Sequence, residues 1–446
     1  MRVVDGLMPR LDGLTAPNTA EGRVRPVIEA VSPAVDGGRF PAKREVGDRV
    51  AVEADAFADG HSMITCELRF KHDSDSKWSS VLMSPSGDDR WRGEFVADRI
   101  GGWRFSVKSG IDDFGSWARD FEKRVDAGQD VTVEIEVGAR LLDGLADRAK
   151  RDHRIVFAAL AEELRRPVRQ GASSLGRLAV ELVLESGAVA CARQYPTPGT
   201  FTSSEKFAIV VERIRARFGA WYELFPRSTS GTTRRHGTLR DVRSRLHYVA
   251  GLGFDVLYLP PIHPIGTVNR KGSDGSVHAE PGEPGSPWAI GSAEGGHTAV
   301  HSELGTIADL EDLVEAAAGL DVEIALDLAF QCAPDHPWVT EHPEWFQKLP
   351  DGSIRHAENL PKRYEDIYPI DFDTLDWQAL WSALSEVVRF WISHGIRIFR
   401  VDNPHTKPLR VWEWLISSTR AEHPDVIFLS EAFTRPAVMY RLAKVG

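Results

Sequence analysis

Residues 395–402 read GIRIFRVD, and residues 426–431 read VIFLSE. Each is a short apolar run that closes on an acidic residue, Asp402 in the first and Glu431 in the second. Short apolar runs bounded by turn signals read as buried strands, and the stretch between them, 408–421, has apolar residues at helical spacing. Working outward, VEIALDL at 322–328, VLYL at 256–259 and the run at 218–224 repeat the strand pattern. Helical patterns at 239–251, 307–318 and 377–394 fall in between. Alternating strands and helices call for a parallel sheet or barrel, here with five strands. Two long loops interrupt the alternation, 260–304 and 331–375, and loops of that length inside a compact domain are usually functional.

In a βα barrel the active site is assembled at the C-terminal ends of several strands. Asp327 lies at the end of the third strand, Arg400 and Asp402 at the end of the fourth, and Glu431 just after the fifth. A single aspartate at a strand end is often only a cap. Three acids and an arginine at three successive ends are much less easily accidental. Neighbouring strands lie about 5 Å apart, so Asp402 and Glu431 can approach the roughly 5–5.5 Å that a retaining glycosidase pair requires.

The first half of the chain follows another pattern. Residues 1–22 read as a leader. Residues 23–138 carry short period-two runs, ending in the alternation of Val131, Val133, Ile135 and Val137 with polar neighbours. Turn signals separate them, and an immunoglobulin-like β-sandwich is predicted. The period becomes helical over 139–200, read as a helical insert with a break at Gly171, and 201–216 reads as a strand returning to the sandwich. The barrel domain then runs over 217–446. The fold class expected is therefore multidomain α/β: a partial (β/α)8 barrel, its first five strands, preceded by a sandwich with a helical insert.

Composition narrows the function. A net charge of −11 disfavours a nucleic-acid groove. No run of 18 apolar residues predicts a membrane span. Three distant cysteines, Cys66, Cys191 and Cys332, point to thiols in a reducing cytoplasm. The 13 tryptophans lean toward carbohydrate, although most are expected in the core. His297, His301, His336 and His342 are scattered in loops without the spacing of a closed metal site, so no metal is expected.

Several segments resemble the ordered motifs of the α-amylase superfamily: GFDVLYLPPIHPIG at 253–266, ALDL at 325–328, GIRIFRVD at 395–402 and FLSE at 428–431. Four more resemble one branch, the maltosyltransferases that move maltose from maltose 1-phosphate onto α-1,4-glucan: NRKG at 269–272, QCAPDHPW at 331–338, AENLPKRYEDIY at 357–368 and NPHTK at 403–407. The resemblance covers almost all of the chain. It departs from a typical amylase at Gln331 and Cys332, where an Asn-His pair is usual, and at Asn403, directly after Asp402.

The resemblance implies that Asp402 forms a covalent maltosyl-enzyme and that Arg400 orients it. Glu431 would assist phosphate departure and then deprotonate the acceptor's 4-hydroxyl. Lys271, Gln331, Asp366 and Asn403 align with donor-binding positions, and Asn359, Lys362 and Tyr364 with a cluster near the phosphate. It further implies a maltose 1-phosphate donor, an α-1,4-glucan acceptor, a homodimer and no cofactor. In the family a third catalytic carboxylate follows the seventh strand. This chain stops at Gly446, after the fifth, so it reads as a fragment expected to be inactive alone. Competing readings are an α-glucan hydrolase or transglycosidase of the same superfamily, and a non-catalytic glycan-binding or assembly protein.

Overall fold

The computed structural model describes residues 24–170, 175–232, 235–276 and 278–446. The expected leader at 1–22 and the break at Gly171 lie outside the described residues. The chain divides into two compact units, one built on 1–42, 47–97 and 102–209 and the other on 43–46, 98–101 and 210–446. Among the described residues no helix is long and apolar enough to cross a membrane.

Residues 27–212 contain two antiparallel sheets. One joins Val27–Ser32, Arg49–Phe57, Arg90–Val96 and Ser84–Pro85 in that spatial order. In the other, Phe207–Glu212, Gly101–Ile111, Ile64–His72 and Ser79–Leu82 are successive neighbours. Period two decides which side is buried: Val50, Val52, Ala54 and Ala56 point inward from one sheet, and Leu68, Phe105 and Val107 from the other. Phe70 stacks on Phe95 across the interface, with ring centroids 4.4 Å apart. At Gly93 the sheets approach so closely that a Cβ would sit 3.0 Å from Met83 Cγ and 3.3 Å from Leu68. The strand expected in 201–216 forms as Phe207–Glu212, within the second sheet.

Two readings of this half are corrected. The alternation at 131–137 is not a strand but part of a helix, Thr132–Arg148. Val131, Ile135, Ala139, Leu142 and Leu145 form one buried stripe, while Val133 and Val137 face solvent. A helical stripe sustained over four turns buries more apolar surface than a seven-residue alternation could, so the longer period wins. Glu136 also pairs with Arg140 one turn on, at 3.0 Å. Second, helices begin at Asp113 rather than 139: Asp113–Asp126 is a helix whose Asp112 side chain accepts the Gly115 N–H at 2.8 Å. Capping by Asp112 and the spacing of Phe114, Ala118 and Phe121 were the signals for it. Gly138 lets the two helices touch, since a Cβ there would lie 2.1 Å from the Trp117 ring.

The second unit is organised by a parallel sheet of Trp221–Glu223, Val256–Leu259, Glu323–Leu328, Ile398–Val401 and Ile427–Ser430, in sequence order. The order never reverses, which is the progression of a βα barrel rather than of a doubly wound sheet. Helices Leu239–Gly251, Ile307–Ala318, Trp377–Ser393 and Leu409–Glu422 connect or follow the strands. Two begin with reciprocal caps, Thr238 with Asp241 and Thr306 with Asp309.

Alternate strand residues divide between two faces. Leu257, Leu259, Ile324, Leu326, Leu328, Phe399, Val401 and Phe428 pack on the helices. Val256, Tyr258, Ala325, Ile398 and Ile427 form a separate cluster on the other face. Asp327 and Arg400 are in register with each other and share that second face. The long loops carry their own structure: residues 331–375 contain a hairpin of Ala357–Asn359 with Lys362–Tyr364, and Gln331–Cys332 pairs with Tyr368–Pro369.

Candidate active site

The sheet delivers its acids to one place. Asp402 and Glu431 each follow a strand, held by backbone hydrogen bonds from Asp402 N to Leu328 O and from Glu431 N to Val401 O, both 3.1 Å. Arg400 then gathers three carboxyls. Its Nη1 donates to Asp327 Oδ2 at 2.8 Å and to Asp402 Oδ1 at 3.0 Å, and its Nη2 lies 2.5 Å from Glu431 Oε1. The Tyr258 hydroxyl donates to the same Asp327 oxygen. The three sequence-predicted catalytic residues, Arg400, Asp402 and Glu431, are thus in direct contact.

Three acids around one guanidinium cannot all ionise cheaply. Burial pushes the Asp327 carboxyl up to about 7, with Arg400 and Tyr258 opposing and the charges of Asp402 and Glu431 reinforcing the rise. Glu431 is also raised, first by burial, against the pull of Arg400, and further by the neighbouring Asp402 carboxyl. Arg400 is raised: burial opposes its charge, but Asp327 and the other negative partners outweigh burial.

The turn after Asp402 is specialised. Asn403 is left-handed (φ 43°) and directs its Nδ2 to Asp402 Oδ1 at 3.3 Å. Asparagine tolerates this conformation better than most residues. Lys407 turns back to donate to the carbonyls of Asp402 at 3.2 Å and Asn403 at 3.4 Å. Burial lowers its pKa, while Asp402, Asp327 and Glu431 pull the other way. Tyr258 and Lys407 belong to this site but carried no assigned role in the sequence reading. Tyr258 was detectable from its place on the same strand face as Asp327; nothing local distinguishes Lys407 from a solvated lysine.

The expected donor-binding residues form a second group, drawn from the two long loops. Lys271 pairs with Glu365, and Asn269 Nδ2 donates to Glu365 O at 3.0 Å. Asp366 is buried beside them, its carboxyl raised by burial and pulled back by Lys271. Its Oδ1 has no hydrogen-bond partner, nor has the buried Nε1 of Trp288, whose carbonyl accepts from Gln331 Nε2 at 3.1 Å. Asn359 and Lys362 face each other across the exposed hairpin, with Tyr364 opposite Ala357. Among the described residues no hydrogen bond or ion pair joins Lys271, Gln331, Asp366, Asn359, Lys362 or Tyr364 to Asp402 or Glu431. Of the predicted binding residues only Asn403 touches the acid cluster.

The histidines require a correction, because His297 and His336 are not scattered. With Cys332 they offer ligand atoms within 4.8 Å of one another, all buried. Their protons follow from the two ends of a relay. The Trp338 backbone N–H can only donate, to His336 Nδ1 at 3.0 Å, and the Ala329 carbonyl can only accept, from His297 Nε2 at 3.0 Å. His336 Nε2–H therefore donates to His297 Nδ1, at 3.1 Å. Both rings are neutral, and burial drives their pKa values down, to about 3 for His336. A metal on His336 Nε2 would require a proton on Nδ1, facing the Trp338 N–H, so this set does not fit a metal. His342, Glu344 and Asp376 form a second, more exposed group, in which Asp376 is already engaged by Trp345 Nε1 at 3.0 Å.

Comparison with known proteins identifies a family. The family described as alpha-1,4-glucan:maltose-1-phosphate maltosyltransferase, domain N/S, matches residues 24–213, and the alpha amylase catalytic domain matches residues 223–369. Curated relatives called alpha-1,4-glucan:maltose-1-phosphate maltosyltransferase include one from Chlorobaculum tepidum, 48% identical over 96% of this chain and 63% of its own length. Another, from Methylacidiphilum infernorum, is 43% identical over 96% of this chain and 63% of its own length. A third, from Cereibacter sphaeroides, is 46% identical over 96% of this chain and 70% of its own length. The chain thus spans 63% of the length of the first two. An α-amylase from Lactobacillus plantarum superposes with a TM-score of 0.40, 29% identity and coverage of 48% of this chain and 45% of that one. With both domains matched in order and 70% of a 46%-identical relative covered, the chain belongs to the alpha-1,4-glucan:maltose-1-phosphate maltosyltransferase family.

Proposed function

We propose that this chain carries the nucleophile, the acid/base and part of the donor site of a retaining maltosyltransferase. Its donor is α-maltose 1-phosphate and its acceptor the non-reducing end of an α-1,4-glucan, as in glycogen synthesis. The observation that carries the reading is Arg400 bridging the two carboxyls, its Nη1 3.0 Å from Asp402 Oδ1 and its Nη2 2.5 Å from Glu431 Oε1. A retaining enzyme needs one carboxylate to attack and a second carboxyl to give and then take a proton. Asp402, paired with Arg400, attacks the anomeric carbon and forms the maltosyl ester. Glu431 delivers its proton to the departing phosphate, then receives one from the acceptor's 4-hydroxyl as that oxygen displaces Asp402. Asp327, buried and raised, holds Arg400 from the opposite side.

Lys271, Gln331, Asp366 and Asn403 are proposed to hold the donor, with Asn359, Lys362 and Tyr364 near its phosphate. The unsatisfied Asp366 Oδ1 and Trp288 Nε1 support a polyhydroxyl ligand there, since buried polar atoms are rarely left unpaired. One observation favours the alternative, an α-glucan donor: Lys271 is already neutralised by Glu365. We further propose that the two antiparallel sheets form an immunoglobulin-like sandwich interrupted by helices from 113 to 192, that the protein is a homodimer, and that it works in the cytoplasm. The free thiols of Cys66, Cys191 and Cys332 support a reducing compartment.

The test is phosphate release from maltose 1-phosphate in the presence of glycogen, compared with maltoheptaose as donor. It should be run on this chain and on a fusion supplying the remaining length of the Chlorobaculum tepidum relative. Phosphate release with elongation by two glucose residues supports the proposal. Transfer from maltoheptaose without use of the phosphate would replace it with the alternative.

A further inference from the structure

We propose that the outer face of the second antiparallel sheet carries a separate binding site for a small sugar phosphate, built around Trp78. A cavity of about 420 Å³ is lined there by Lys71, Asp73, Trp78, Arg104 and Lys206. Arg69 Cζ lies 5.5 Å, Lys71 Nζ 5.8 Å and Lys206 Nζ 6.0 Å from the centroid of the Trp78 ring. Three cations therefore converge on one indole.

Their arrangement is not one that stability alone selects. Lys71 stands directly opposite Arg104 in the antiparallel register, and like charges so placed repel. Arg69 and Lys71 are two residues apart and share the outward face of their strand. Arg104 pairs with Asp73 Oδ1 at 2.9 Å, and Lys71 Nζ donates to the Asp75 carbonyl at 3.1 Å. Among the described residues no carboxylate lies within ion-pair distance of Arg69, Lys71 or Lys206. Cation–π contacts offset part of the repulsion, but the charge stays concentrated in a chain whose net charge is −11. Such a focus of charge attracts a compact anion.

The shape argues for more than an inorganic ion. The cavity falls within the size range of small-molecule sites, and an indole supplies an apolar surface that a pyranose ring can lie against. A phosphoryl dianion would sit between Lys71 and Lys206, whose two amines provide charge-assisted donors, beside an Arg104 guanidinium that Asp73 also engages. Its sugar would extend along Trp78. All of these residues lie within the first unit, and the proposal does not depend on the function proposed for the acid cluster.

The test is 19F NMR of the chain labelled with 5-fluorotryptophan, with the Trp78 resonance identified by its loss in Trp78→Phe. Glucose 6-phosphate, inorganic phosphate and maltose are titrated separately at constant ionic strength. The expected result is a saturable shift of the Trp78 signal with glucose 6-phosphate. The shift should need at least ten times more inorganic phosphate and should not occur with maltose. Lys71→Gln with Lys206→Gln should weaken glucose 6-phosphate at least tenfold, whereas Lys123→Gln, in a helix of the same unit, should not. No shift, an equal response to inorganic phosphate, a response to maltose alone, or unchanged affinity in the double variant would overturn the proposal.

Discussion

Replacing Asp327 with asparagine should change how stability depends on pH, by an amount the site itself sets. Asparagine resembles the protonated aspartic acid in shape and leaves acceptors for Tyr258 and Arg400, but it cannot ionise. In the wild-type chain Asp327 rises to about 7, with burial the largest cause. Its ordinary value, near 4, holds in the unfolded chain. Between those two values the folded protein retains a proton that the unfolded chain has released, so stability falls as pH rises through this window. The gap corresponds to roughly 3–5 kcal/mol when the group must ionise, at 1.36 kcal/mol per pH unit. Relative to wild type, Asp327→Asn should therefore gain stability progressively from about pH 4 to about pH 7 and level off above. Urea unfolding of both chains at pH 5, 6, 7 and 8 measures the difference, and comparing the two isolates the unit that holds residue 327. A constant difference across that range would refute the reasoning, because Asp327 would then not be the group that holds the proton.

Other outcomes follow from particular contacts. In the fusion completed to the length of its relatives, Lys271→Ala should raise the donor KM more than it lowers kcat, since its charge would meet phosphate in both ground and transition states; unchanged donor affinity would remove Lys271 from the site. Gly138→Ala should destabilise this chain by about 1–3 kcal/mol, because the new methyl meets the Trp117 ring at 2.1 Å. Gly144→Ala, in the same helix with only Arg148 Nη1 nearby, at an ordinary contact distance of 3.4 Å, should instead stabilise it by up to about 1 kcal/mol. Thermal melts of the two variants check both, and equal melting temperatures would contradict the packing argument.

How much was legible in the sequence depended on how local each signal was. The strands Val256–Leu259 and Ile427–Ser430 and the helix Ile307–Ala318 could be placed to within a residue or so, because apolar runs and a Thr-x-x-Asp cap specify them. Arg400, Asp402 and Glu431 could be read as one site because barrel topology brings successive strand ends together. The alternation at 131–137 misled because it fits both periods over seven residues, and only the continuation through Ala139, Leu142 and Leu145 separates them. The neutral relay from Trp338 through His336 and His297 to Ala329 was not visible, since its members come from different loops and their proton positions depend on two backbone groups. The same holds for Lys271, whose partner Glu365 lies in the other long loop.

The central claim is that Asp402 forms the covalent bond and Glu431 manages the proton. A 2-deoxy-2-fluoro-α-maltosyl fluoride provides the most direct test, because the fluorine at C2 slows breakdown of the ester while the fluoride leaves readily without acid assistance. In the completed fusion, intact mass followed by peptide mapping should show one fluoromaltosyl group on the peptide containing Asp402. The label should be lost in Asp402→Ala and retained in Glu431→Gln. A label on Glu431, or an adduct that survives Asp402→Ala, would contradict the account.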